Sequence, residues 1–116
     1  NYTFQTNFIL DEVPVLVTYE SDIEEATQLL IEAARVHAEI AIKETGEEPY
    51  VRAELGDSGI RLRLRYQTLA KERQKISSAI VFDIVNKFGG NDKVEFAYPH
   101  TEVIYRPKGG PVAKEA

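Results

Sequence analysis

At 116 residues the chain has room for one domain and one hydrophobic core. Apolar residues make up 43% and charged residues 28%, the balance of an ordinary globular chain. A formal net charge of −5 argues against general affinity for nucleic acid or anionic lipid, and the absence of cysteine excludes disulfides and thiolate chemistry. The two histidines, His37 and His100, lie far apart and give no metal-ligand spacing. The longest apolar run, around Val13 to Val17, is far shorter than the roughly 20 residues a membrane helix needs. The sequence opens at Asn1 and contains no methionine, which reads as a piece of a larger polypeptide.

Asn1 to Leu10 are polar and aromatic without helical period, and read as the end of a preceding β element plus a connector; Asn1, Tyr2 and Thr3 match a glycosylation acceptor by chance. Val13, Val15, Val17 and Tyr19 then alternate as in a half-buried strand. Pro14 cannot donate to a ladder and belongs at the start of that strand or at an unpaired position. Ser21 offers an N-cap hydroxyl with Glu24 three residues on, a capping box, and the acidic first turn suits the helix dipole. The helix that follows is expected from about Asp22 to Glu44. Its apolar face is Ile23, Ala26, Leu30, Ala33, Ala34, His37, Ile40 and Ala41, and Gly46 stops it.

Tyr50 to Leu55 and Ile60 to Gln67 are strand-like and joined by Gly56, Asp57, Ser58 and Gly59, a hairpin signal. A second helix is expected from about Leu69 to Phe88, capped by Thr68. Its stripe is Ile76, Ile80, Ile84 and Phe88, widened by Val81 and Val85. A closing strand covers Val94 to Tyr98 and, after Pro99, Thr101 to Tyr105; residues 107–116 read as a mobile tail. The order β-α-β-β-α-β over residues 11–106 specifies an α+β, ferredoxin-like split β-α-β fold: a four-stranded antiparallel sheet with two helices on one face. In IRLRLRYQ, Ile60, Leu62, Leu64 and Tyr66 face the helices while Arg61, Arg63 and Arg65 face away. Burying one such leucine contributes about 1.5–3 kcal/mol, so a one-residue slip exchanging Leu for Arg is prohibitive.

The arginine stripe is the strongest functional candidate. It suits a solvated face balanced by Glu54 or Glu95, a subunit contact, or a small anionic ligand. RNA is disfavoured, because split β-α-β RNA binders stack bases on aromatic side chains where this strand offers arginines. The acidic group Glu20, Asp22, Glu24 and Glu25 is explained by capping rather than by a metal. His37 reads as a packed or interface histidine, and His100 as exposed. No nucleophile motif or phosphate loop appears, and the turn after the first strand is acidic, the wrong sign for an acyl-phosphate hydrolase. No catalytic, cofactor or metal residue is therefore assigned.

Four segments together resemble the cytoplasmic C-terminal part of small-conductance mechanosensitive channels: NYT at the start, VTYESDIEEATQLL from Val17, VRAELGDSGIRLRLR from Val51, and VEFAYPHTEVIY from Val94. Departures are Glu20 for the usual Asp, Ala97 for the first Pro and His100 for a Gln of the closing motif. The resemblance implies a homo-oligomer, a heptamer in that family, forming a vestibule below a membrane pore on the cytoplasmic side. The piece itself would make no direct membrane contact, its partners being other copies and the channel's own transmembrane region. It further implies that Arg61, Arg63 and Arg65 face the lumen or a neighbour, and that Phe96, Tyr98 and Pro99 fix the closing strand. Residues 107–116 depart from the short barrel strand with which many members end. The alternative expectation is a ferredoxin-like regulatory domain binding a small anionic ligand.

Overall fold

The computed structural model describes residues 7–97. In chain order the elements are β1 (Phe8–Val17), α1 (Ile23–His37), α2 (Glu39–Thr45), β2 (Tyr50–Leu55), β3 (Ile60–Leu69) and α3 (Arg73–Gly89), with one 3-10 turn at Ala70–Glu72. Among the described residues the fold is α+β: a three-stranded antiparallel sheet in the order β1-β3-β2 with three helices.

Alternation along β3 sets the two layers. Leu62, Leu64, Tyr66 and Thr68 are buried, and the residues between them are only partly so. Val13, Val15 and Val17 of β1 share the inner face, opposite Leu64, Leu62 and Ile60 in register. Ala26, Leu30, Ala33 and Ala34 of α1 and Ile80, Ile84 and Phe88 of α3 complete one core cluster.

Local chemistry moves several boundaries. β1 begins at Phe8, inside the expected connector. Pro14 sits mid-strand opposite Arg63. Leu16 and Thr18, of the same parity, bond Ala97 and Glu95 through their backbones, so the proline nitrogen turns to the outer edge of β1 and breaks no β3 bond. The N-cap of α1 is Asp22, not Ser21: its Oδ1 accepts from the Glu25 amide at 3.1 Å, and no Ser21–Glu24 box forms. The Ser21 hydroxyl is used elsewhere, beside Thr18 Oγ1 at 2.9 Å and accepting from the Glu95 amide at 3.0 Å.

The first helix is not continuous. Ala38 leaves helical geometry at φ −112°, ψ 28°, dividing α1 from α2 without a glycine or proline. The bend keeps Ala38 and Ala41 inside and turns Ile40 outward to 63% exposure, so Ile40 does not belong to the buried face. Gly46 ends α2 at φ 73°, donating its amide to the Ile42 carbonyl. Thr68 does not cap a helix, because β3 runs on to Leu69 and buries it; α3 starts only after the 3-10 turn. Val81 and Val85 lie exposed on the flank of α3 rather than in the core.

Of the expected fourth strand, only its beginning falls within the described residues. Phe96 makes a single antiparallel bridge to Val17 on the free edge of β1 and stacks on Phe88 with ring centroids 4.7 Å apart. Tyr98, Pro99, His100, the stretch 101–105, the tail and Asn1 to Thr3 lie outside the described residues.

Candidate functional site

Three arginines of β3 and their cross-strand neighbours form the solvent face of the sheet. Arg65 stands opposite Glu12 of β1 and Tyr50 of β2; Arg63 opposite Pro14 and Arg52; Arg61 opposite Leu16 and Glu54. Two carboxylates thread between the guanidinium groups. Arg63 Nη1 donates to Glu12 Oε2 at 2.6 Å, and Arg63 Nε donates to Glu54 Oε2 at 2.8 Å. Arg65 Nη2 lies 3.1 Å from Glu12 Oε1, and Arg61 Nη1 3.9 Å from Glu54 Oε2. The result is one alternating ladder across all three strands, centred on Arg63.

The electrostatics follow from that geometry. The hydrogen bond from Arg63 holds the Glu12 carboxyl below the ordinary carboxylate range, with the Arg63 and Arg65 charges adding to it and desolvation opposing. Glu12 and Glu54 in turn hold Arg63 above its usual range. Arg52 has no carboxylate within ion-pair distance among the described residues; its guanidinium carbon lies 6.0 Å from the centre of the Tyr50 ring. Arg52 and Arg63 face each other directly, a like-charge pair that the two carboxylates on Arg63 make tolerable.

Arg61, Arg63 and Arg65 therefore sit together on one face as the alternation of β3 requires. Glu54 is one balancing carboxylate. The other is Glu12, which the sequence reading did not name; Glu95 enters no ion pair among the described residues and is engaged through its backbone. The signal for Glu12 existed. With Val13, Val15 and Val17 inward, Glu12 must point outward, and pairing β1 with β3 puts it beside the arginines.

On the inner side, Tyr66 Oη donates to Asp11 Oδ2 at 2.9 Å and Arg73 Nε to Asp11 Oδ1 at 3.1 Å, tying β1, β3 and the start of α3 around a buried carboxylate. Burial, then the Asp11 carboxylate, push the Tyr66 hydroxyl well above its ordinary range. His37 packs at the end of α1 with Nε2 3.1 Å from Asp83 Oδ2 of α3. In the acidic first turn, Asp22 caps and Glu25 accepts from Asn91 Nδ2 at 2.8 Å. Among the described residues no group of three or more His, Asp or Glu side chains could hold a metal ion, and no helix is long and apolar enough to cross a membrane.

An ionic ladder of this kind fixes register and presents charge; it contains no nucleophile–base pair. Comparison with known proteins identifies what carries it. Residues 11–92 match a family described as the C-terminal domain of the mechanosensitive ion channel MscS. No match is found among curated proteins. The matched stretch takes in every described helix, β2, β3 and most of β1, ladder included. The chain belongs to the MscS family of mechanosensitive ion channels, as part of its C-terminal domain.

Proposed function

We propose that this domain is a structural wall of the channel on the cytoplasmic side of the membrane, supporting assembly of identical subunits and shaping solute access to the pore. It has no catalytic role, and neither conducts nor senses tension itself. The observation that carries this reading is the commitment of Arg63 to Glu12 on one side and Glu54 on the other. A face built to capture a small anion would leave its guanidinium groups free; this one uses them to lock three strands into register. That arrangement argues for a rigid building block and against the anion-binding regulatory module.

Two finer elements belong to the same proposal. Continuing the antiparallel register of Val17 with Phe96 would bring Tyr98 opposite Val15 and Pro99 opposite Pro14. A fourth strand there would complete the ferredoxin-like sheet on the far edge of β1, and two residues lacking an N–H would meet where neither can donate. Arg61, Arg63 and Arg65 would then face the lumen or an adjacent subunit of a ring, seven-membered by family resemblance. The test is the mass of the chain in solution by light scattering, joined to the hydropathy of the parent polypeptide upstream of Asn1. Self-association and upstream apolar helices are expected. A soluble upstream region without such helices removes the proposal.

A further inference from the structure

We infer that the arginine face of the sheet docks against the outer face of the helix layer of a second copy, a contact between two different surfaces of the same chain. The inference rests on the assembly reading above and adds to it which surfaces meet.

Charge is distributed very unevenly along the sequence. From Glu20 to Glu48 there are nine carboxylates and two lysine or arginine side chains. From Arg61 to Lys75 there are six basic side chains and one carboxylate. The acidic group lies on α1, α2 and their flanking turns. Three of the six basic side chains, the β3 arginines, point away from the helices, while Lys71, Arg73 and Lys75 lie on the 3-10 turn and α3.

The open sheet face remains basic after its internal pairing, because Glu12 and Glu54 must serve Arg61, Arg63 and Arg65, and Arg52 has no carboxylate among the described residues. The same face carries Leu10 at 49% exposure and Tyr50 at 39%, with no lysine on its three strands. Arginine and tyrosine with exposed aliphatic groups, and lysine absent, is the composition of contact surfaces rather than of solvated ones.

The helix layer offers the complement. Glu44 and Glu47 are exposed and have no cation partner among the described residues, and Val36 (64% exposed) and Ile40 (63%) are exposed at the α1–α2 bend, Ile40 one helical turn before Glu44. A helix layer that carries exposed apolar side chains and an excess of carboxylates on α1 and α2 fits an apolar-rimmed arginine face. Contact between two unlike surfaces propagates head to tail and closes into a ring when the rotation per subunit allows.

Sedimentation equilibrium of the whole chain at low salt tests this with two charge-reversal variants, Arg52→Glu on the sheet and the double variant Glu44→Lys with Glu47→Lys on the helices. All three positions are exposed and outside the ionic ladder, and thermal melts check that each variant folds. The neutral pair Arg52→Gln and Glu44→Gln with Glu47→Gln serves as a second set should a reversal unfold. Each reversal is expected to weaken self-association by about tenfold, and an equimolar mixture of the two to restore it, since each then supplies the surface the other needs. Association of the wild type that neither reversal changes, or a mixture no stronger than its components, overturns the inference and leaves the assembly reading standing. A wild type monomeric at every concentration removes both.

Discussion

Glu12 accepts from two arginines at once, and the consequence is a dependence on acid that can be signed. A carboxyl held below its unfolded-state range adds stability that is complete above the unfolded value and lost as pH falls through the folded one. Wild type should therefore exceed Glu12→Gln in urea midpoint at neutral pH, and the two should converge as pH falls below about 4.3. A constant gap from pH 7 to pH 3 would show that the ion pairs contribute nothing titratable. Asp11 poses the opposite problem, a carboxylate that is buried and must be fully served. Replacing Tyr66 by Phe leaves Asp11 Oδ2 without its donor while Arg73 still holds Oδ1. That loss should cost about 1–3 kcal/mol by urea denaturation at pH 7. Because the Tyr66 hydroxyl is raised above its usual range, its contribution is complete below about pH 10 and declines only as pH rises beyond it.

At the scale of the element, the hairpin between β2 and β3 shows how little tolerance one position can have. A Cβ built on Gly59 would lie 2.1 Å from the Val17 carbonyl oxygen, a backbone atom at the end of the adjacent strand. Gly59→Ala must push β1 and the β3 start apart, and should destabilise by about 1–3 kcal/mol. Gly46→Ala meets nothing within 4 Å and has only its positive φ to overcome, a cost of about 1 kcal/mol. Reversal of that order in thermal melts would contradict the packing at the turn. Such differences mark the boundary of what local pattern reveals. The glycines announced a turn and a helix end, yet the approach of Val17 to Gly59 depends on the β1–β3 register. The bend at Ala38 is equally silent: apolar spacing runs straight through it, and only the inner seats of Ala38 and Ala41, with Ile40 left in water, record the change of direction. Ser21 lost the cap to Asp22 because its hydroxyl is engaged by Thr18 and by Glu95, 74 residues away in the chain.

In the whole molecule, legibility tracks periodicity. The strict alternation of β3 made both faces readable, and with them the split between apolar core and arginine face, because a period of two leaves no other arrangement. Partner assignment across strands was less accessible: Glu12 lies 51 residues from Arg63, and its role emerges only once β1 is paired with β3. Val81 and Val85 illustrate the same limit, since a helix stripe does not say how wide a surface the sheet can cover. These distinctions make a paired test of the architecture. Leu62 is wholly buried between β1, β2 and the helices, whereas Phe82 on α3 is 70% exposed. Truncating Leu62 to Ala removes core packing and should cost about 2–5 kcal/mol. Truncating the larger Phe82 to Ala should stay within about 0.5 kcal/mol, because solvent already bathes most of the ring. If side-chain size alone set stability the order would reverse, so urea unfolding of the two variants separates a two-layer core at the β3 inner face from any arrangement in which Leu62 meets water.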